Sequence, residues 1–494
     1  MATEALLNII AVVKLAMSLR DPPCMAQIEG PPLLGSFNKV VIVKFDDDLK
    51  WAFRTPRPDG AGKGLPAVLL CELMRSEVAT LDYLARYSSI PVPRVIHHSC
   101  TDVNSIGVPY ILMTVAPGVP FAEHLSRVRL VGGQNPSDAA AQILRQLGKI
   151  SFDLSNLRFD KIGSLWKKDD SFGVGEIRAP AFVTQDRYAL SMETQRGPFS
   201  TEQDYYKALM DALFGHVQDL YMSNHFFRGP APDPADYPDA DNYDLVLDRW
   251  NDFMAVGDKI DSSENRIQYH TAGKIIQDII PQFSVPEDDS GFPLGHAKLS
   301  SKNVFVDING NITCIVNWQY SSTMPLGQLL MTPALTNHRC QPSITDHTAF
   351  RDGFDAAAKD TVIRPPVSWL LTEVLWQYMR WVSLDSYNDF GLFEALLKWH
   401  PEFAGRDPLR LIDELRGRAD IVEARERLKE GERGLIEMLR DENAYFDAFR
   451  YGAKIRRIAK ILTERFVSRP QVLGREFWMA SLSEDFGNAN GPRN

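Results

Sequence analysis

"GHAKLSSKNVFVDINGNITCIVNWQ", residues Gly295 to Gln319, decides the reading of this 494-residue chain. A polar loop, His296 to Asn303, leads into a strand-like apolar run. The spacing predicts a hairpin over Asn303 to Trp318, with "INGN" as its turn and Asn309-Gly310 as a two-residue type I′ signal. Lys298 follows His296 by two residues and precedes Asn303 by five. The frame is that of a catalytic loop, with an unexpected cation at its centre.

The bulk composition is globular: 44% hydrophobic, 24% charged, with material for a sizeable core. Net charge is −10 and no long Lys/Arg run occurs, which argues against nucleic acid as a partner. The five cysteines, Cys24, Cys71, Cys100, Cys314 and Cys340, show no metal-binding spacing. Free thiols in a reducing compartment are the simplest reading. The first nineteen residues are largely apolar but interrupted by Lys14 and too short for a comfortable bilayer span. They lack a basic leading region and a small-residue cleavage site. An amphipathic helix packed on the fold is expected, in a soluble cytoplasmic protein with no membrane span.

Along the chain, residues 1–30 read as a helical extension and 31–115 as a small β-rich lobe. The order in that lobe is strand, strand, helix, strand, strand. "DDDLK" forms the first hairpin turn, and "PAVLLCELMRSEVATLDYLARYS" carries apolar residues at helical spacing. Residues 116–483 read as a larger helical lobe. Within it, "PSDAAAQILRQLGKISFDLSNL" is a helix with Ser137 as N-cap candidate. Residues of about 165–243, rich in Pro, Gly and aromatics, read as an inserted cap. Residues 484–494 read as a disordered tail. The fold class is therefore α+β, two-lobed and protein-kinase-like.

The motifs agree with that class. "HAKLSSKNVFVD" followed by "IVNWQYSS" resembles, without gaps, the loop H-G-D-L-S-x-x-N-[IV]-[FL]-V-D and the later I-[IV]-D-W-E of the aminoglycoside phosphotransferase (choline/ethanolamine-kinase-like) family, most closely its fungal branch. "GSFNKVVIVKF" is similar to that family's nucleotide-loop strand and "WAFRTPRP" to its third strand. "RSEVATLDYL" is similar to its ion-pairing helix, and "IPVPRVIHH" and "GVPYILM" to the strands before its hinge. The resemblance covers roughly residues 31–335. It implies Arg54 at the third-strand Lys position, Glu77 as its helix partner, and Met113 at the start of the hinge.

The departures lie where the chemistry should be. The family's catalytic Asp falls on Lys298, its metal-binding Asp on Asn317, and the acid after the Trp on Gln319. His296 and Asn303 are kept. Mg²⁺ wants carboxylate oxygen, and a protonated Lys neither binds it nor accepts a proton. A unit charge about 4 Å away contributes roughly 4 kcal/mol at an effective dielectric of ~20, so reversing its sign beside a divalent ion matters at least that much. The changes at 317 and 319 are near-isosteric and keep hydrogen-bonding capacity while removing charge.

Three readings stay open. The pocket is repurposed to bind and transform a small, anionic organic metabolite, with Lys298, His296 and Asn303 as catalytic candidates. Or it is an inactive pseudokinase that binds or scaffolds. Or it remains an ATP-dependent phosphotransferase with acids from elsewhere, such as Asp307 or the Glu287-Asp288-Asp289 run. Arg54, Glu77, Met113, Asn317, Gln319 and Asp307 are the substrate- or nucleotide-binding candidates. No metal ligand and no cofactor is expected, Mg-ATP being the alternative. Each candidate also has a plain structural role: His296 and Asn303 brace the loop, Asp307 caps the turn, and Trp318 is core.

Overall fold

Lys50–Pro56, the third strand β3, alternates strictly in burial. Trp51 and Phe53 enter one apolar cluster, while Ala52 enters another on the opposite face. Period-two geometry thus sends Arg54 to the same side as Ala52. The computed structural model that shows this describes residues 7–57, 64–131, 135–190, 194–222, 225–228, 243, 262–282, 291–335, 341–359, 369–386 and 388–444, from 432 onward as backbone alone. The Glu287–Asp289 run, Cys340, residues 191–193, 223–224 and 229–242 of the expected cap, and the expected tail lie outside these residues.

β3 belongs to an antiparallel five-stranded sheet of order β1-β2-β3-β5-β4. Its other strands are β1 (Ala26–Leu34), β2 (Asn38–Phe45), β4 (Val95–Ser99) and β5 (Tyr110–Thr114). Helix α1 (Ile9–Ser18) covers one face, placing Val12 and Ala16 against Val41, Val43, Phe45, Trp51, Phe53 and Leu112. Helix α2 (Ala67–Tyr87) covers the other, with Met74 against Ile111 and Met113. The first strand therefore begins at Ala26, inside the stretch read from sequence as a helical extension, and the sheet has one strand more than expected. "AQIEGPPLL" hides this strand: Gly and two prolines break its pattern, and edge strands tolerate them.

Beyond the sheet come β6 (Val119–Pro120), α3 (Phe121–Val131), α4 (Pro136–Ser155) and β7 (Arg158–Phe159). α4 is capped by Asn135, whose side chain accepts from the Ser137 backbone N–H; Ser137 itself is already inside the helix. Ser164–Lys168 (β8) and Ser171–Gly175 (β9) form a hairpin where the sequence suggests loop. Lys167 of β8 pairs with Asp82 of α2. After α5 (Pro180–Val183), α6 (Glu202–Asp219) and α7 (Ser263–Ile279) come β10 (Phe292–Gly295), β11 (Val304–Val306), β12 (Ile312–Ile315) and β13 (Ser322–Thr323). The chain continues through α8 (Leu326–Leu329), α9 (Ile344–Ala358), α10 (Trp369–Val382), α11 (Asp389–Leu397), α12 (Pro408–Leu415) and α13 (Ala419–Ala444).

The described residues fall into two compact units. The first lies within 1–189, 195–206 and 284–376, the second within 190–194, 207–283 and 377–494. The first unit holds the five-stranded sheet, α2, the β11–β12 hairpin and a core of α4 and α9. In the second, Ile267 of α7 packs with Ile421, Ala424 and Leu428 of α13. There the Tyr269 hydroxyl donates to Asp389 at 2.6 Å, and His225 bonds the same carboxylate oxygen at 3.1 Å. A small β-rich lobe and a larger helical one make the architecture α+β and kinase-like.

Helices α4 and α9 meet through glycine. A Cβ at Gly148 would lie 2.1 Å from the Phe350 carbonyl oxygen, and one at Gly353 would lie 1.9 Å from that of Arg145. Backbone meets backbone there, so no rotamer change makes room. Gly353→Ala normally favours a helix by up to about 1 kcal/mol. Here overpacking reverses the sign, and a net loss of about 1–3 kcal/mol is expected in urea denaturation.

Candidate functional site

The loop from His296 to Asn303 is held by its own polar residues. His296 Nε2 lies 3.1 Å from the Val316 carbonyl oxygen, and its Nδ1 accepts the Lys298 backbone N–H at 3.0 Å. Both bonds together require the neutral tautomer with the proton on Nε2. The ring meets Trp318 edge-on, with centroids 4.8 Å apart. Asn303 Nδ2 donates to the Lys298 carbonyl at 2.9 Å, and the Asn303 carbonyl accepts from Val316 N–H at 2.9 Å. Lys298 is thus fixed by its backbone on both sides, with its side chain exposed. His296 and Asn303 are used as braces.

The hairpin that follows turns differently from the expected type I′. Gly310 N–H bonds the Asp307 carbonyl, and Asp307 N–H bonds the Asn311 carbonyl. Gly310 has φ +76°. A type I turn with a left-handed Gly at its end, a three-residue loop, is the result. Asp307 organises it: its carboxylate accepts from Asn309 N–H, Asn311 N–H and Asn311 Nδ2 at 2.8–2.9 Å. The bonds from Asn311 first, and then from Asn309, hold the Asp307 carboxyl below its usual range. That carboxylate is committed to the turn.

Past the hairpin, Asn317 is exposed with φ +69°. Among non-glycine residues Asn and Asp most readily accept that left-handed conformation, which suits Asn317 to its place. Trp318 is core, donating Nε1–H to the Ile315 carbonyl at 2.9 Å. Gln319 is buried, and its Oε1 accepts from Asn38 Nδ2 at 3.3 Å. Tyr320 meets Phe37 edge-on at 5.8 Å. The turn between β1 and β2 is therefore seated on residues 319–320. Arg57 holds that turn from behind, donating to the Gly35 carbonyl at 2.8 Å and to the Phe37 carbonyl at 2.9 Å.

Arg54 and Glu77 form a two-pronged ion pair, Nη1 to Oε1 at 2.7 Å and Nη2 to Oε2 closer still. Glu77 keeps 1% of its side-chain surface and Arg54 11%, so the pair is buried rather than a surface contact. Burial, and then the charge of Glu77, push the Tyr320 hydroxyl well above its ordinary pKa. Among the described residues, the buried Tyr320 hydroxyl and the adjacent Ser321 Oγ have no hydrogen-bond partner. Met113 sits apart: its side chain packs with Met74 and Ile111 under α2. Phe37, Asn38 and Tyr320 escaped the sequence reading; the polar "GSFN" and "WQYSS" were their only signals.

No protein-family model matches this sequence. A subtelomeric hrmA-associated cluster protein of Aspergillus fumigatus is 25% identical over 350 residues, covering 66% of this chain and 64% of that relative. The match thus spans under two thirds of the relative's length. Altered inheritance of mitochondria protein 9, mitochondrial, of Scheffersomyces stipitis is 25% identical over 357 residues, covering 62% of this chain and 54% of its own. Among solved structures, the macrolide 2′-phosphotransferase of Brachybacterium faecium aligns over 80% of this chain and 99% of its own, at 15% identity and a TM-score of 0.34. The ethanolamine kinase of Plasmodium vivax aligns over 79% and 80%, at 10% identity and 0.38. No described helix is long and apolar enough to cross a membrane.

Two stability tests follow from this geometry. Arg54→Ala strands a buried carboxylate and is expected to cost about 3–5 kcal/mol in urea denaturation. Removing both charges with Arg54→Met and Glu77→Leu should cost markedly less. The second test concerns pH. Burial pulls the His296 imidazole down to about 4, against an ordinary value of about 6.5. The unfolded chain therefore takes the proton first as pH falls, and stability declines from about 6.5 towards about 4. His98, His270 and His347 are lowered as well and share in the decline. The His296 share is read as a shallower decline in His296→Gln than in the parent.

Proposed function

We propose that this chain binds a small, anionic organic molecule at the kinase-type site of Arg54, Glu77, Lys298, Asn317, Gln319 and Tyr320, and does not perform ordinary magnesium-dependent phosphoryl transfer. One observation carries this reading. The loop skeleton is intact and fully braced, yet the positions that would hold a divalent cation present an ammonium, a lone amide and an amide already bonded to Asn38. That donor set does not fit magnesium, a hard cation that wants carboxylate oxygen in octahedral array.

What remains suits an organic anion. Lys298 supplies positive charge from a rigid backbone. The unpartnered Tyr320 and Ser321 hydroxyls offer polar contacts whose loss to burial otherwise costs about 1–3 kcal/mol each. Lys298 is the candidate for chemistry, because His296 has both ring nitrogens engaged and Asn303 is bonded to the loop. The doubly engaged histidine also favours the second reading, a binding or scaffold protein that performs no reaction.

Thermal-shift and turnover assays with ATP, with and without Mg²⁺, separate the readings. No magnesium-dependent ATP turnover is expected; clear turnover would overturn the proposal. Lys298→Asp combined with Asn317→Asp restores two carboxylates without touching the braces. This double variant is expected to gain a magnesium-dependent ATP shift that the parent lacks. Among carboxylate and phosphate metabolites that stabilise the parent, Lys298→Ala should weaken binding by roughly tenfold or more, with a shallower salt dependence.

A further inference from the structure

β1 ends at Leu34 and β2 begins at Asn38, so Gly35, Ser36 and Phe37 make the whole turn between them. Gly35 N–H bonds the Asn38 carbonyl at 2.8 Å and closes the turn on itself. Arg57, just past β3, holds it from one side. Its guanidinium donates to the Gly35 carbonyl at 2.8 Å and its backbone N–H to the Phe37 carbonyl at 2.9 Å. From the other side, Asn38 Nδ2 donates to Gln319 Oε1 at 3.3 Å. The Phe37 ring meets that of Tyr320 edge-on, with centroids 5.8 Å apart and planes at 70°. Gln319 and Tyr320 are themselves buried. The turn is thus a strap, fixed at the end of β3 and fastened down on the residues that follow Asn317.

In a kinase-type site a glycine-rich loop lies over the phosphates. Backbone N–H groups cradle them, and glycine lets the backbone come close. By its motif the β1–β2 turn stands in that place. Its one glycine, Gly35, has already spent its N–H on Asn38. Its next contacts are an aromatic ring and an amide, both engaged with residues 319 and 320. A guest lying between the turn and these residues has to break the amide bond and part the rings.

We propose that Phe37 and Asn38 are a size filter: they shut a chain of phosphates out of the anion site, so that its ligand carries one compact anionic group, a carboxylate or a single phosphate. The inference rests on the anion site proposed above and narrows its ligand class. Charge and size give opposite forecasts here. Attraction to Lys298 grows with the charge of the ligand, so an open site prefers tripolyphosphate to phosphate. A strapped site does not.

The test is calorimetric titration of the full-length protein with inorganic phosphate and with tripolyphosphate, free of magnesium and at one ionic strength. Only binding that is lost in Lys298→Ala is assigned to the site. The parent is expected to bind phosphate at least as tightly as tripolyphosphate. Phe37→Ala combined with Asn38→Ala removes both fastenings. In this double variant tripolyphosphate should tighten roughly tenfold while phosphate stays within about twofold. The filter is overturned if the parent prefers tripolyphosphate at the site. It is overturned equally if the double variant, folded by near-ultraviolet circular dichroism, shows no tightening. Should the double variant not fold, Phe37→Leu keeps the apolar side chain without the ring, and the same reversal of preference is expected of it. If phosphate binding to the parent survives Lys298→Ala, the anion site itself falls and the filter falls with it, an outcome distinct from the other two.

Discussion

A carboxylate that keeps 1% of its surface cannot stay charged alone, and Glu77 is such a group. Its partner is fixed by the pleat of β3, which sends Arg54 towards α2 because Phe53 must go the other way. The ion pair therefore sets both the depth and the rotation of α2 on the sheet. Hydrophobic packing of Met74 on Ile111 and Met113 would allow some sliding along the strands. A bidentate guanidinium–carboxylate contact allows little. Burial first, and then the Glu77 charge, raise the pKa of the Tyr320 hydroxyl.

The loop from His296 to Asn303 takes its shape in large part from neutral hydrogen bonds, through His296, Asn303 and the Val316 backbone. A neutral amide at 317 can occupy the left-handed region as readily as a carboxylate does. At 319 the amide oxygen accepts from Asn38 Nδ2, which ties the residue to the start of β2 without a charge. Neither position needs a charge to hold its place in the fold.

The sequence made the sheet, α2, the hairpin and the loop legible because each has a local signature: alternation, helical spacing, a turn, and fixed motif spacing. It placed Arg54 beside Glu77 only through resemblance, since 23 residues separate them. Asn38 and Gln319 are 281 residues apart, and no local pattern announces such a bond. The type I′ expectation at Asn309-Gly310 failed because Asp307 satisfies three donors only if the turn starts at its own carbonyl. β1 stayed hidden because its prolines and glycine suit an edge strand, whereas alternation rules describe central ones. Ser137 resembled an N-cap, but Asn135 two residues earlier already accepts its N–H.

The seam between α2 and β4 brings the two halves of this picture together. At Glu77 the helix is held by charge, in a buried two-pronged contact with Arg54. Near its start it is held by apolar packing of Leu70 and Met74 and by Glu72, whose carboxylate accepts from Arg178 Nη2 at 2.8 Å. Charge therefore anchors the helix at both places, and the buried Leu73, Met74 and Ser76 between them leave it little freedom to slide on the sheet.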